Sequence, residues 1–139
     1  MRTIAVFLCV LLTGSVFAAE DKAQTPKEVA RAYFEALTSG DLEAASALVD
    51  APYSFDRTKV IATKAEVEAA HKEIVGNKGK RAIPEYTIEA TTEAEALDPK
   101  QFPACLVFRV AIAVKKDRKE HVDIYVSKAK PHKVLGFSD

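Results

Sequence analysis

The sequence has 139 residues, 48% of them hydrophobic and 29% charged, which is enough for one domain with its own core, too little for two, and too apolar for an unfolded chain. Lys plus Arg and Asp plus Glu each total 20, so the formal net charge is zero. That excludes the single-sign field that gathers nucleic acid or an anionic membrane surface.

In chain order the first predicted element is an export leader. Arg2 supplies a positive start, Ile4 to Leu12 is an unbroken apolar run, and Thr13-Gly14-Ser15 interrupts it. Val16-Phe17-Ala18 then fits the small-x-small pattern for cleavage after Ala18. The run is too short for a permanent anchor, so the expectation is a periplasmic or extracellular protein with no stable membrane anchor after cleavage. Cys9 lies inside the apolar run without small residues before it and is not read as a lipid site. Arg2 is the only charged residue among the first 18, so the mature chain would carry 19 basic and 20 acidic side chains, a net charge of −1. Its single cysteine, Cys105, cannot form an internal disulfide. Cys105 stands in an apolar strand pattern and reads as a small buried hydrophobe.

Residues 19–24 are polar and read as a flexible lead-in to a domain over 25–139. Thr25-Pro26-Lys27-Glu28 combines an N-cap, a proline at the first helical position and a capping box. Val29, Tyr33, Ala36 and Leu37 recur at helical spacing with Phe34 beside them, and Gly40 stops the helix. Asp41 caps a second helix whose stripe is Leu42, Ala45, Leu48 and Val49. Asp50-Ala51-Pro52 ends it, because proline disfavours helix at the residue before it. Tyr53-Ser54-Phe55 and Val60-Ile61 read as short extended pieces around a turn at Asp56 to Thr58. Thr63-Lys64-Ala65-Glu66 is a second capping box. It opens a third helix with Val67, Ala70, His71 and Ile74 on one face, ended by Gly76, Asn77 and Gly79.

After Lys80 the period becomes two. Tyr86 to Ala94 alternates Tyr86, Ile88 and Ala90 with Glu85, Thr87, Glu89 and Thr91. Glu85, Glu89, Glu93 and Glu95 read as a solvated acidic face. Asp98-Pro99 and Pro103 bound a loop. Ala104 to Val114 carries Leu106, Phe108, Val110, Ile112 and Val114 on one side. Lys115 to Arg118 makes a tight turn. Lys119 to Lys128 alternates Val122, Ile124 and Val126 with His121, Asp123, Tyr125 and Ser127, and His132 to Phe137 is a last strand after Pro131. Three helices followed by consecutive strands predict an α+β fold. The three N-terminal helices pack on the concave face of a curved antiparallel sheet, a cystatin-like cone.

The segment from Thr25 to Ala45 resembles the nuclear-transport-factor-two-like superfamily, whose cone fold is shared by ketosteroid isomerase and scytalone dehydratase. The resemblance rests on a helix ending in Tyr33-Phe34-Glu35-Ala36-Leu37, then Gly40-Asp41 opening a second helix. The ending His132-Lys133-Val134-Leu135-Gly136-Phe137 is similar to the family's final strand. The resemblance implies a recess between helices and sheet and, in many members, dimerisation through the outer sheet face. It also implies a candidate site of the isomerase kind. There a carboxylate removes a proton next to a carbonyl, while a tyrosine and a protonated acid hold the enolate. Tyr33 falls at the oxyanion tyrosine and Asp123 resembles the second acid. Asp56 falls one residue from the base, since an ungapped match puts Arg57 there.

From the residues themselves, strand alternation sets Asp123 apart from Val122, Ile124 and Val126, near Arg109 as a surface ion pair if those three face the core; a hairpin register with an even loop would turn it to the recess instead, so the sequence leaves both facings open. Tyr33 and His71 on inward stripes read as core tyrosine and boundary histidine, or as pocket groups. His121 and His132 lack metal-site spacing, Gly76-Asn77-Lys78-Gly79 is not a phosphate loop, and no nucleophile elbow occurs. The leading reading is a noncatalytic exported domain that needs no cofactor and binds a small apolar ligand or a partner. Its recess would be lined by Tyr33, Phe34, Phe55, His71, Tyr86 and Phe108. The alternatives are an isomerase or lyase using Tyr33, Asp56 and Asp123, and a structural module forming a homodimer through the outer sheet face.

Overall fold

A computed structural model of the chain describes residues 24–76, 79–115 and 118–139. The proposed leader (1–18), the lead-in up to residue 23, Asn77 and Lys78, and the centre of the turn between Lys115 and Arg118 lie outside the described residues.

Helix α1 spans Pro26–Ser39. Its start satisfies two otherwise orphaned N–H groups: Glu28 N–H donates to Thr25 Oγ1 (3.2 Å) and Thr25 N–H donates to the Glu28 carboxylate (3.4 Å). It stops at Gly40, whose φ of +84° is the left-handed conformation and whose N–H caps the Ala36 carbonyl. A second constraint requires glycine here, because a Cβ would lie 2.3 Å from the Gly79 carbonyl oxygen. Asp41 then caps helix α2, Leu42–Leu48, through the Ala44 N–H. Helix α3, Lys64–Val75, buries Val67, His71 and Val75.

The strands are β1 (Val49–Phe55), β2 (Lys59–Ile61), β3 (Tyr86–Ala90), β4 (Cys105–Lys115), β5 (Arg118–Ser127) and β6 (Val134–Ser138). They form one curved, open sheet in the order β2-β1-β6-β5-β4-β3. Neighbours pair antiparallel except β1 and β6, which are parallel. The sheet is therefore mixed, a correction to the antiparallel expectation. The parallel pair arises because β1 leaves the helices on the same heading that β6 later takes beside it. Between Val49 and Ser54 the β1–β6 ladder slips register, around Pro52, which has no N–H to give a central strand.

Two predicted boundaries move. Val49 leaves the helix and begins β1, fully buried with extended backbone, as a β-branched residue favours. Strand β3 ends at Ala90, not Ala94, so Glu93 and Glu95 leave the strand face. After Thr91 the chain crosses to the outer side of the sheet and returns at Cys105, making a strap over residues 91–104.

The inner face of the sheet and the helices share one core. It joins Val29, Tyr33 and Phe34 of α1, Val67 of α3, and Tyr53, Ile88, Phe108, Val110, Val122, Ile124 and Val126 of the strands. Each large apolar side chain taken from water there contributes about 1.5–3 kcal/mol. The outer face is only partly wet. Under the strap Tyr125 is buried, Phe102 packs inward, and the Tyr125 ring lies 3.1 Å from where a Cβ on Gly136 would stand.

Candidate functional site

The inner face holds one polar cluster. Tyr33 comes from α1, His71 from α3 and Tyr53 from β1, and none exposes more than 1% of its surface. The Tyr33 hydroxyl lies 2.5 Å from the Tyr53 hydroxyl and 2.7 Å from His71 Nε2. His71 Nδ1 lies 2.8 Å from the Val67 carbonyl oxygen.

Chemistry fixes the directions of these bonds. A carbonyl only accepts, so Nδ1 carries the proton and donates to it. Burial pushes the His71 pKa down, an effect the Val67 carbonyl partly offsets, so the ring is neutral and Nε2 is an acceptor. Tyr33 therefore donates to Nε2 and its oxygen accepts from Tyr53. Burial, and then the neighbouring Tyr53, raise the Tyr33 pKa well above its ordinary value, and burial raises that of Tyr53. The cluster is thus a neutral relay of three groups that satisfy one another. Every buried side-chain N or O among the described residues has a partner.

The six sequence-predicted lining residues divide in two. Tyr33, Phe34, His71 and Phe108 are at most 4% exposed. They fill the concavity where the sequence placed a recess, because two tyrosines and a histidine from three elements meet across it. Phe55 and Tyr86 are half-buried at its margins. Phe55 packs near Phe137 and Tyr53. Tyr86 packs against Phe34 with the rings tilted by 59° and donates to Glu35 Oε1 at 2.6 Å, and burial followed by that carboxylate pushes its pKa up to about 12.

The alternative trio is not brought together. Asp56 is exposed in the β1–β2 turn, where its Oδ1 accepts from the Asp139 N–H. Asp123 sits on the outer face opposite Arg109, since Val122 and Ile124 on either side of it point into the core that holds Tyr33. Arg109 grips it with Nε (2.9 Å) and Nη2 (3.2 Å), and also reaches Glu93 of the strap. No group of three or more His, Cys, Asp or Glu able to hold a metal occurs among the described residues, and no described helix is long and apolar enough to cross a membrane.

What sequence reasoning missed lies outside the cone. The strap and the outer faces of β4 and β5 enclose a groove of about 430 Å³ lined by Leu97, Pro99, Phe102, Cys105, Val107 and Tyr125, with Ala96, Pro103 and Ala104. Two of its lining side chains carry a polar group. The Tyr125 hydroxyl donates to the Glu95 carbonyl at 3.0 Å. Burial pushes the Cys105 thiol up to about 11, with Lys128 opposing the shift, so it is no ready nucleophile. The signal available in the sequence was the apolar pair Val107 and Tyr125 on strand positions of outward parity.

No family model matches the sequence, and neither does any curated protein. Among solved structures, the chain is similar to an NTF-2-like protein of unknown function from Burkholderia xenovorans LB400, at 14% identity and a TM-score of 0.47 over 81% of this chain and 79% of that one. It is also similar to a domain of unknown function with a cystatin-like fold from Nostoc punctiforme PCC 73102, at 14% identity and 0.47 over 81% and 72%. A third likeness is to an NTF2-like protein of unknown function from Cytophaga hutchinsonii ATCC 33406, at 11% identity and 0.42 over 84% and 90%. These are likenesses of fold.

Proposed function

We propose that the chain is an exported, noncatalytic binding domain that takes a small apolar ligand in the groove between the strap and the outer faces of β4 and β5. The observation that carries this reading is the division of labour between the two faces of the sheet. On the inner face Tyr33, Tyr53 and His71 are neutral, mutually hydrogen-bonded and out of reach of water. On the outer face a groove of about 430 Å³ has an apolar lining and two polar groups, the size and character of small-ligand sites in general. Acid–base catalysis requires a titratable group within hydrogen-bond reach of substrate, and neither a carboxylate nor a histidine is among the groove's lining residues. The leader over residues 1–18 supports the exported setting.

The test uses the mature chain from Ala19 and the apolar fluorophore N-phenyl-1-naphthylamine. The wild type is expected to bind it saturably. Val107→Trp, which fills the groove, should abolish binding while leaving the circular dichroism spectrum unchanged, and Tyr33→Phe should leave binding intact. Saturable binding unaffected by Val107→Trp, or lost with Tyr33→Phe in folded protein, refutes the outer-face site. Expression of the full chain behind its own leader, with N-terminal sequencing of the exported product, tests cleavage after Ala18.

A further inference from the structure

A second groove lies along the other end of the sheet order and shares no lining residue with the first. Strand β2 is outermost, so one side of its backbone has no strand partner among the described residues. Beside it runs a cleft of about 370 Å³ with Lys59, Val60 and Ile61 on the strand side and Glu66, Ala69, Ala70 and Glu73 on the α3 side. Val60 is 48% exposed, a large apolar side chain at the rim of an open edge.

The α3 wall departs from what its sequence leads one to expect. Thr63 and Glu66 have the spacing of a capping box, like Thr25 and Glu28. At α1 both reciprocal bonds form. At α3 the Glu66 N–H bonds to Thr63, but the Glu66 carboxylate is not turned back to the cap; the residue lines the cleft instead. Glu73 stands two turns further on, about 10 Å along the axis at 1.5 Å per residue. Neither glutamate forms an ion pair among the described residues. Between them, Ala69 and Ala70 leave the floor low and apolar.

We propose that this cleft receives an extended, basic segment of a partner protein, which adds to β2 as a seventh strand. An added strand supplies the backbone bonds that an edge lacks, and side-chain sites beside it give selectivity. Along such a strand, residues two apart project to the same side about 7 Å from each other. Lysine or arginine at those positions reaches the two carboxylates on long flexible stems, while the residues between them project to the opposite face, where apolar side chains pack beside Val60. The strand itself is three residues long and carries Lys59, features that guard an edge against indiscriminate pairing. The α3 wall then decides which segment is admitted.

Fluorescence anisotropy with the mature chain and labelled eight-residue peptides tests this. A peptide alternating lysine and valine should bind, with affinity falling as salt rises. Glu66→Gln/Glu73→Gln, at two exposed positions, should weaken it about tenfold, the size expected for losing two rim charges. A glutamate-valine peptide should not bind. The same basic peptide N-methylated at alternate residues should lose binding, since methylation blocks the ladder bonds but keeps the charge. Equal binding of the methylated peptide reduces the site to charge attraction and overturns strand addition, as does indifference to the double substitution. A dimer of the free protein that Ala69→Arg dissolves would assign the cleft to a second copy and equally overturn the partner segment.

Discussion

Replacing Tyr33 with phenylalanine is the sharpest probe of the buried relay, because the directions of its bonds make the three members unequal. The Tyr33 hydroxyl stands in the middle, accepting from Tyr53 and donating to His71 Nε2. Its removal strands a buried donor on one side and a buried acceptor on the other. Each unsatisfied group costs about 1–3 kcal/mol, so Tyr33→Phe should destabilise the fold by about 2–4 kcal/mol. Tyr53→Phe removes only the outer donor. Tyr33 keeps its bond to His71 and loses one use of an oxygen lone pair, for about 1 kcal/mol. Urea unfolding followed by circular dichroism measures both. With a slope of about 1.5 kcal/mol per molar, ordinary for a domain of this size, the midpoint should fall by about 2 M for Tyr33→Phe and by less than 1 M for Tyr53→Phe. If Tyr53→Phe were as damaging as Tyr33→Phe, the assigned bond directions would be wrong, and with them the neutral state of His71.

The same relay predicts a pH dependence. The folded pKa of His71 lies below its unfolded value of about 6.5. The unfolded chain therefore takes up more protons as pH falls through 6.5, and stability falls with it, by at most about 1.4 kcal/mol per pH unit. Urea midpoints between pH 7 and 5.5, above the range where carboxylates titrate, should show this slope in the wild type and lose it in His71→Gln. Gly40→Ala should cost about 2 kcal/mol or more, since the left-handed backbone alone is worth about 1 kcal/mol and its Cβ would collide with the Gly79 carbonyl; thermal melting checks it. On the outer face, Arg109→Met should lower the melting temperature by stranding the nearly buried Asp123. Glu93→Gln, which breaks only the exposed arm of the same arginine, should cost less than about 0.5 kcal/mol in the same assay.

Punctuation residues made the helices legible. Thr25, Pro26, Glu28, Gly40 and Asp41 each have a local, nearly context-free role, and each does in the fold what its chemistry dictates. The period-two runs marked β4 and β5, but the facing of Asp123 hung on the hairpin register, which the structure sets with Asp123 opposite Arg109. What escaped the sequence depends on partners far along the chain. Val49 continues a helical stripe and reads as helix until β6 offers it a ladder. Tyr53 carries no mark that it will meet Tyr33 and His71, twenty residues before it and eighteen after, so the sequence left open whether Tyr33 and His71 line a recess or pack on one another. The strap shows its prolines and its aspartate, which announce a loop. Which face of the sheet that loop would cover depends on where Phe102 finds Val107 and Tyr125.

The place of β6 has a consequence for how the domain assembles. The last strand in chain order lies between β1 and β5, so while the polypeptide emerges, β1 with β2 and β3 with β5 can exist only as two unjoined half-sheets. Five residues, Val134–Ser138, close the seam. Removal of that strand would leave two ladders, each with a raw inner border, joined only through the core that the helices share with both.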